Sequence, residues 1–262
     1  MNQPLAYVHP GAKIAKNVVI EPFATIHNNV TIGEGTWIGS NVTIMEGARI
    51  GKNCSIFPGA VISATPQDLK YQGEDTTVEI GNNVTIRECA TINKGTSDRM
   101  KTLIGDNCLI MAYCHVAHDC IVGKNCIFSN NSTLAGHVTI GDYVVLAGLV
   151  AVHQFVSIGN HAFVTGGSLV RKDVPPFVKG AREPMSYVGI NSVGLRRRGF
   201  TAEKIREIQN IYRILYQQNY NNTRAAQIIE AEMEATPERD EILQFIRDSQ
   251  RGIMKGYISS NT

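Results

Sequence analysis

The sequence predicts a mainly β protein, built as a parallel β-helix of hexapeptide repeats and followed by a small α-helical C-terminal domain. Three observations support this fold class. An aliphatic residue returns at every sixth position through much of the chain. Two segments interrupt this repeat without changing its phase. After the repeat ends, apolar residues recur at the spacing that is typical of amphipathic helices.

The six-residue repeat begins at Val8. A period of six fits neither an α-helix nor an alternating strand, so each hexad is interpreted as a short strand followed by a turn. Three hexads close one triangular coil, and successive coils stack about 4.8 Å apart through strand pairing. Glycine and asparagine supply the positive φ angles that the corners require. The aliphatic positions are Ile14, Ile20, Ile26, Ile32, Ile38, Ile44, Ile50, Ile56, Ile62, Ile80, Ile86, Ile92, Ile104, Ile110, Val116, Val122, Phe128, Leu134, Ile140, Leu146, Val152, Ile158, Val164 and Val170.

Two excursions leave the repeat, over residues 63–79 and 97–103, and both re-enter it in phase. A loop that leaves a rigid scaffold often carries function, although a tolerated insertion would give the same pattern. We assign residues 1–189 to the β-helix with these excursions and residues 190–262 to the helical domain.

The sequence predicts three helices in the helical domain. Thr201 is a suitable N-cap for a helix with one apolar stripe, and a second helix is predicted over residues 223–234. Thr236 followed by Pro237 is a strong signal for the start of a third helix. Such a domain can cover the open end of a prism, which otherwise exposes a sheet edge.

Composition and charge exclude two broad classes. The 262 residues are 43% hydrophobic with a formal net charge of +2, without the basic excess that is usual in nucleic-acid-binding proteins. No apolar run approaches the roughly 18 residues that a membrane span needs. The first seven residues have no features of a signal peptide. We therefore expect a cytoplasmic protein that binds no nucleic acid and has no membrane span.

Five of the six cysteines lie in one phase of the repeat. Cys54, Cys108, Cys114, Cys120 and Cys126 are separated by multiples of six, and the sequence contains no CxxC pair. The spacing of zinc-ribbon ligands is therefore missing. Since free cysteine behaves as a small hydrophobic residue, we interpret the series as a position that repeatedly requires a small apolar side chain, and we expect no metal and no cofactor.

The length of one coil places several polar residues on one edge of the prism. His118 and Gly136 are 18 positions apart, so they occupy the same corner of adjacent coils. His137 follows Gly136, and His153 belongs to the next coil, while the second excursion leaves the coil below at the same edge. Three histidines on successive coils, with Asp119 beside the first, indicate a functional site.

These residue types suit proton transfer. A histidine accepts a proton near physiological pH, and a carboxylate on its other ring nitrogen fixes the tautomer and stabilises the imidazolium. A backbone N–H at Gly136 can face a developing oxyanion. The structural alternatives remain open: Asp119 as an ordinary corner residue, Gly136 as a turn that needs glycine, and each histidine as a satisfied structural residue.

Five motifs occur in a fixed order along the chain. Together they make the chain resemble the acyl-[acyl-carrier-protein]–UDP-N-acetylglucosamine O-acyltransferases of lipid A synthesis. The resemblance extends over nearly the whole chain, and it is this family that implies a left-handed parallel β-helix. The motifs are residues 67–71 (QDLKY), 115–120 (HVAHDC), 134–137 (LAGH), 151–155 (AVHQF) and 194–200 (GLRRRGF).

The resemblance implies a role for each matching residue. It makes His118 the general base for the sugar 3-hydroxyl, Asp119 its orienting partner, and the Gly136 N–H the oxyanion donor. Arginines suit a diphosphate because they bind it through paired hydrogen bonds. The implied substrate-contacting positions are Asp68, Lys70, His115, His137, His153, Gln154, Asn191, Arg197 and Arg198.

The resemblance also implies partners. The substrates are acyl carrier protein carrying a 3-hydroxyacyl thioester and UDP-N-acetylglucosamine, and the assembly is a homotrimer in which Lys70 serves the neighbouring subunit's site. Gly166 occupies the position that sets acyl-chain length, so a long chain is expected. Val193 departs from the acidic residue that the family often has there. The basic residues assigned to the carrier protein are Arg171, Lys172, Lys179 and Arg182.

Three rival interpretations remain at this stage. The N-acyltransferase of the same pathway shares fold and donor, but it normally has an additional N-terminal domain, whereas this repeat begins at Val8. A zinc carbonic anhydrase on the same prism would use three histidines as ligands, and the spacing here does not fit that set well. A catalytically silent scaffold would tolerate loss of His118.

Overall fold

The computed structural model describes residues 4–218 and 220–256, and it is a left-handed parallel β-helix followed by four helices. The predicted fold class is confirmed. The outer ends of the two predicted domains, residues 1–3 and 257–262, lie outside the described residues.

The strands are mostly two residues long, as a six-residue repeat requires. Before the first excursion they are β1 Tyr7–Val8, β2 Lys13–Ile14, β3 Val19–Ile20, β4 Thr25–Ile26, β5 Thr31–Ile32, β6 Trp37–Ile38, β7 Thr43–Ile44, β8 Ala48–Ile50, β9 Ser55–Ile56 and β10 Val61–Ala64. Between the excursions they are β11 Thr77–Ile80, β12 Thr85–Ile86 and β13 Thr91–Asn93.

The strands after the second excursion continue the same series. They are β14 Lys101–Ile104, β15 Leu109–Ile110, β16 His115–Val116, β17 Ile121–Val122, β18 Ile127–Phe128, β19 Thr133–Leu134, β20 Thr139–Ile140, β21 Val145–Leu146, β22 Ala151–Val152, β23 Ser157–Ile158, β24 Phe163–Val164, β25 Leu169–Val170, β26 Val178–Ala181, β27 Ser186–Ile190 and β28 Lys255–Gly256.

Up to β25, strands three apart in the chain pair in parallel, and the strands form three sheets. At the end of the third sheet, β26 pairs in parallel with β24 and antiparallel with β27. The first sheet contains β1, β4, β7, β10, β13, β16, β19, β22 and β25, and the second contains β2, β5, β8, β11, β14, β17, β20 and β23. The third begins at β3 and ends with β26, β27 and β28. The chain turns from the first sheet to the second at the first edge, from the second to the third at the second edge, and back to the first at the third edge.

The register agrees with the coil length deduced from sequence. Val116 pairs with Leu134, and Leu134 pairs with Val152, each 18 residues further along. These side chains point into the prism and are almost completely buried. The repeat therefore forms one continuous aliphatic core that no single hexad could bury alone.

Glycines line the second edge because successive coils approach closely there. A Cβ on Gly123 would lie 2.4 Å from Oδ1 of Asp142 and 2.7 Å from the backbone carbon of Gly141. The same Asp142 carboxylate accepts a 2.7 Å hydrogen bond from the Lys124 amide. Glycine after the aliphatic residue is therefore needed for packing, and the next coil's side chain satisfies the corner amide.

The repeated cysteines are buried, as the sequence predicts, but they also donate hydrogen bonds. Sγ of Cys126 lies 3.1 Å from the Gly141 carbonyl oxygen, and Sγ of Cys108 lies 3.1 Å from the Gly123 carbonyl oxygen. Cys89 lies outside the series and is exposed. A small apolar residue alone would leave these carbonyl groups without that partner, so the interpretation as a purely hydrophobic position was incomplete.

Both excursions leave the prism at the first edge. The chain is out of the sheets over residues 65–76 and 94–100, because Ala64 pairs with Asn93 and Thr77 pairs with Lys101. The first excursion is shorter than the expected 63–79, since its flanking strands continue beyond the hexad pattern. The second has the expected length but lies three residues earlier than the expected 97–103. The loop of residues 94–100 lies one strand below the corner that carries His118.

The C-terminal region has four helices: α1 Ser192–Arg197, α2 Ala202–Gln217, α3 Asn222–Glu232 and α4 Pro237–Asp248. The predicted N-caps Thr201 and Thr236 are confirmed, whereas the short α1 was not predicted. The Tyr212 hydroxyl donates a 2.6 Å hydrogen bond to the Pro176 carbonyl and ties α2 to the end of the prism. None of the described helices has the length and apolar character needed to cross a membrane.

Candidate active site

The first edge brings together residues from three successive corners. His118 and Asp119 lie at one corner, Gly136 and His137 at the next, and Gln154 at the third. Asp119 and His137 both have positive φ, 59° and 65°, so they occupy equivalent positions of their turns. The arithmetic of the repeat therefore placed these residues on a common edge.

Asp119 makes a direct contact with His118. Its Oδ2 lies 2.8 Å from Nδ1 of the imidazole. The Asp119 residue is completely buried, and His118 is 9% exposed. Because an ionised carboxylate can only accept, Nδ1 carries the hydrogen, and in the neutral imidazole Nε2 then keeps its lone pair.

The loop of residues 94–100 surrounds the Asp119 carboxylate. The Thr96 amide donates to Oδ1 at 3.0 Å and to Oδ2 at 3.1 Å, and its hydroxyl donates to Oδ2 at 2.6 Å. The Arg99 amide donates to Oδ1 at 3.1 Å. Burial by itself would raise the pKa of Asp119, but hydrogen bonds from Thr96, His118 and Arg99 outweigh it and hold that pKa below its ordinary value.

Gly136 lies directly against the His118 ring. A Cβ at this position would be 2.6 Å from Cε1 and 2.7 Å from Nε2 of the imidazole. Among residues 4–218 and 220–256, no oxygen accepts a hydrogen bond from the Gly136 amide. Glycine is therefore required here by a side chain, whereas at the second edge it is required mainly by backbone.

His137 contacts two aromatic rings and one carboxylate. Its ring meets that of His118 edge-on at 5.0 Å and stacks on Phe155 at 4.5 Å. Its Nδ1 lies 2.9 Å from the Asp98 carboxylate, although the angle is outside hydrogen-bond geometry. Asp98 belongs to the loop that also surrounds Asp119, so one loop reaches both Asp119 and His137.

Three further predicted residues extend the same edge. His115 Nδ1 lies 2.7 Å from the Thr91 hydroxyl, and burial together with the nearby His118 lowers the pKa of His115. His153 and Gln154 are exposed two coils above His118, and Nδ1 of His153 lies 3.1 Å from the Gln154 carbonyl oxygen.

Asp68 and Lys70 lie on the first excursion, which leaves the same edge two strands below His118. The Asp68 carboxylate accepts a 2.9 Å hydrogen bond from the Lys70 amide. Lys70 itself is exposed. These two residues share the edge with His118, but the structure shows no contact between them and the histidines.

Asn191, Arg197 and Arg198 lie elsewhere. They line a cavity of about 520 Å³ over the third sheet, whose floor includes Val145 and Phe163. In a triangular prism the third sheet faces away from the first edge. A single chain therefore holds these residues and His118 on opposite sides, at similar heights along the axis.

Arg198 is held by a column of aromatic rings that the sequence analysis did not identify. Tyr143 stacks on His161 at 4.8 Å, and the Arg198 guanidinium lies 5.2 Å from the centre of the Tyr143 ring. Burial and the charge of Arg198 lower the pKa of His161 to about 4, so this ring is neutral at pH 7. Within the described residues, Nη1 of Arg198 is buried and has no hydrogen-bond partner.

The remaining predicted residues are separate from the first edge. Gly166 is exposed at the third edge, stacked over Gly148. Lys179 lines the cavity that contains Arg198, whereas Arg171, Lys172 and Arg182 line another of about 690 Å³ near the C-terminal strand. The four basic residues expected to form one carrier-protein surface therefore lie in two places.

A metal site at the first edge is poorly supported. Ligand atoms of His118, Asp119 and His137 lie within 4.8 Å of one another. Both carboxylate oxygens of Asp119, however, already accept hydrogen bonds from Thr96, and Asp119 has no exposed surface. Only two histidines would remain as open ligands, fewer than the three protein ligands that a catalytic zinc usually has.

Comparison with known proteins agrees with this geometry. Residues 173–254 match the family described as Udp N-acetylglucosamine O-acyltransferase, domain 2, and residues 29–64 and 101–136 match the bacterial transferase hexapeptide family. The acyl-[acyl-carrier-protein]–UDP-N-acetylglucosamine O-acyltransferase of Myxococcus xanthus is 46% identical over 195 residues, covering 74% of this chain and 76% of that protein. This chain belongs to the UDP-N-acetylglucosamine O-acyltransferase family.

Solved structures of this acyltransferase family superpose closely. The UDP-N-acetylglucosamine acyltransferase from Bacteroides fragilis is 48% identical, with a TM-score of 0.96 over 97% of this chain and 100% of that one. That from Francisella novicida is 42% identical, with a TM-score of 0.96 over 99% of this chain and 96% of that one. The match includes the helical end as well as the prism.

Membership of this acyltransferase family does not by itself assign the site residues. Sequence reasoning located the edge but missed Thr96, Arg99 and Asp98, which surround Asp119 and approach His137. The position of the second excursion, one coil below His118, was the available signal. It indicated proximity without indicating which side chains would turn inward.

Proposed function

We propose that this protein transfers a 3-hydroxyacyl group from acyl carrier protein to the 3-hydroxyl of UDP-N-acetylglucosamine, with His118 as general base. The observation that carries this proposal is the 2.8 Å contact between His118 and a buried Asp119 carboxylate, directly below Gly136. A family of enzymes named for this transfer supplies the reaction class.

Each step of the transfer follows from the tautomer at His118. Nε2 accepts the proton of the sugar hydroxyl while its oxygen forms a bond to the thioester carbonyl carbon. The Gly136 N–H stabilises the resulting oxyanion. The intermediate collapses, the carbon–sulfur bond breaks, and the imidazolium returns the proton to the leaving thiolate. The Asp119 carboxylate stabilises that imidazolium throughout.

We assign the other polar residues of the first edge to substrate contacts. His115, His137, His153 and Gln154 extend along the axis from His118, as a nucleotide sugar and a phosphopantetheine arm would. The low pKa of His115 favours its neutral form, which can both donate and accept hydrogen bonds. Asp68 and Lys70 would contact substrate from the excursion below.

Arg198 is our candidate for binding the diphosphate, together with Arg197 and Asn191. A buried guanidinium nitrogen without a partner favours an anionic ligand, because leaving it unpaired is energetically costly. The neutral His161 beside it adds no competing positive charge. Val193 lines the same cavity and offers no carboxylate to a sugar hydroxyl.

The separation of His118 from Arg198 supports a homotrimer. One nucleotide sugar cannot reach both residues of one prism, since they lie on opposite sides. A neighbouring prism whose third sheet faced the first edge would bring them together at equal height. Exposed apolar residues at the third edge, Tyr113 and Leu149, fit burial between chains.

Gly166 stays our candidate for the position that limits acyl-chain length. It lies over Gly148 at the third edge, so neither residue projects a side chain into the space beside Leu149. Absence of bulk there favours a long chain. Arg171, Lys172 and Arg182 form the surface that we assign to the acidic carrier protein, with Arg171 already paired to Glu183 at 2.9 Å.

We place the reaction in the cytoplasm, as the first step of lipid A synthesis. The six free cysteines agree with a reducing compartment. The test is a transfer assay with UDP-N-acetylglucosamine and a panel of 3-hydroxyacyl carrier proteins, with the product identified by mass spectrometry. An ester at the 3-hydroxyl supports the proposal, whereas transfer only to an amino sugar, or zinc-dependent hydration of carbon dioxide, contradicts it.

A site shared between chains is tested by mixing subunits that carry different substitutions, assayed at a UDP-N-acetylglucosamine concentration far below the KM expected for Arg198→Ala. His118→Gln and Arg198→Ala proteins, unfolded and refolded together, should regain activity because some interfaces combine the two intact residues. A mixture of His118→Gln with Asp119→Asn is the matched control and should regain none, since both residues belong to one edge. Recovery of activity in neither mixture, or equal recovery in both, would contradict a site formed between chains.

A further inference from the structure

The loop of residues 94–100 has no role in the mechanism above, yet its contacts are concentrated on one side chain. Every described donor to the Asp119 carboxylate other than His118 comes from this loop. We propose that Thr96 is a positioning residue for acyl transfer, which holds the Asp119 carboxylate in the orientation and charge state that His118 requires. This proposal rests on the proposed function.

Burial explains why the loop is needed. Asp119 is fully buried, and an ionised carboxylate without donors is strongly destabilised away from water. The coil that carries Asp119 offers it only His118. The donors come instead from the coil below, where an ordinary corner is replaced by the 94–100 loop. Thr96 contributes both its amide and its hydroxyl, and it is itself only 7% exposed.

The Thr96 hydroxyl acts on the same oxygen that His118 uses. Oδ2 of Asp119 accepts from the hydroxyl at 2.6 Å and from the imidazole at 2.8 Å. A donor on this oxygen draws off negative charge and so weakens its pull on the imidazole proton. Removing the hydroxyl would leave more charge facing His118 and favour the imidazolium, which cannot act as base.

Arg99 fixes the backbone of the same corner. Its guanidinium donates to the Asp119 carbonyl oxygen at 2.9 Å and lies 3.3 Å from the Thr139 hydroxyl on the second sheet. The loop is therefore anchored to each of the two coils that follow its own coil along the prism axis. This anchoring keeps Thr96 beneath the carboxylate. Because Arg99 orients the loop, the Thr96 hydroxyl can be removed without removing the contacts that position the loop.

The experiment compares Thr96→Val with Thr96→Ser. Valine removes the hydroxyl at almost constant shape, while serine keeps it. The control is Thr43→Val, at an outward-facing threonine of β7, two strands below β13, the strand that precedes the loop. The first measurement is the carbon-13 titration of the Asp119 carboxyl group, and it does not depend on turnover. The second is the pH dependence of kcat/KM for acyl transfer.

With Thr96→Val we expect the Asp119 carboxyl to titrate about 1–2 pH units higher than in the parent, because one charge-assisted hydrogen bond is lost. The acidic limb of kcat/KM should move toward higher pH. Thr96→Ser and Thr43→Val should match the parent in both measurements. If valine prevents folding, Thr96→Ala replaces it with the same expectations.

Two results would overturn the inference. One is an unchanged Asp119 titration in Thr96→Val. The other is a loss of activity that is equal at every pH and is not restored by serine, as expected for a loop that only supports the fold. Absence of transfer activity in the parent protein would instead contradict the proposed function, and the carboxyl titration would still decide the role of Thr96.

Discussion

The first and second edges of the prism are built from the same six-residue repeat but differ in how they satisfy their turns. At the second edge, the Lys124 amide is capped by Asp142 of the next coil, and the Asp142 amide by Asn160 at 2.6 Å. At the first edge, the Gly136 amide finds no acceptor among the described residues. Its neighbours are a buried carboxylate and imidazole rings.

We propose that this difference separates a structural edge from a reactive one. Where each coil supplies an acceptor to the coil below, the corner is closed by its own hydrogen bonds and has none to offer a ligand. Where the acceptor is missing, a backbone donor stays available beside a proton acceptor. One repeat can therefore carry chemistry on a single edge without altering the core that both edges share.

Loss of His118 should give the largest effect. We expect His118→Gln to lower kcat by roughly 10²–10⁴, because the general base is removed. Binding of UDP-N-acetylglucosamine, measured by calorimetry, should be retained. A fall of less than tenfold in kcat would mean that the first edge is not where the proton is transferred.

Alanine at one glycine of each edge should separate the two edges. Gly136→Ala pushes against the His118 ring, so we expect activity to fall by about 10²-fold with little change in melting temperature. Gly123→Ala pushes against backbone of the next coil and should destabilise the protein by about 1–3 kcal/mol. Equal loss of stability by both variants in thermal unfolding would contradict the proposed difference between the two edges.

Arg198→Ala should raise the KM for UDP-N-acetylglucosamine by about 10–100-fold, because one or two hydrogen bonds to a charged phosphate are lost. The effect on kcat should be smaller. Arg206→Ala, on the exposed face of α2, is the matched control and should leave both constants unchanged. Equal kinetic constants for the two variants would show that the diphosphate does not bind in the third-sheet cavity.

The smallest effect concerns stability and pH. Hydrogen bonds to the charged form hold the pKa of folded Asp119 below the ordinary value of 3.8, so its contribution is present above that value. The contribution is lost as pH falls through the lower folded pKa. Relative to Asp119→Asn, the parent should be more stable by about 1–3 kcal/mol at pH 7. Urea unfolding should show this difference shrinking below pH 4, and a constant difference would contradict it.

Period arithmetic predicted the fold and much of the edge because a rigid coil fixes which residues stack. Val116, Leu134 and Val152 pair in the register deduced from the sequence, and His118 and Gly136 meet as expected. The same arithmetic links Tyr143 and His161, which are also 18 apart, so that stack was available from the sequence but was overlooked.

Other features were beyond the reach of periodicity. The contacts of Thr96 and Arg99 belong to a loop that leaves the repeat, where position in the chain no longer fixes position in space. The short helix α1 and the burial of Arg198 depend on how the C-terminal region packs against the third sheet. Both result from tertiary contacts between distant segments, and local pattern contains little information about them.

The most direct test is a crystal structure of the protein with UDP-N-acetylglucosamine bound. We predict the sugar 3-hydroxyl within about 3 Å of His118 Nε2, and the diphosphate at Arg198 of a neighbouring chain. A nucleotide sugar bound with its 3-hydroxyl beyond hydrogen-bond reach of His118, or held by one chain alone, would contradict the account.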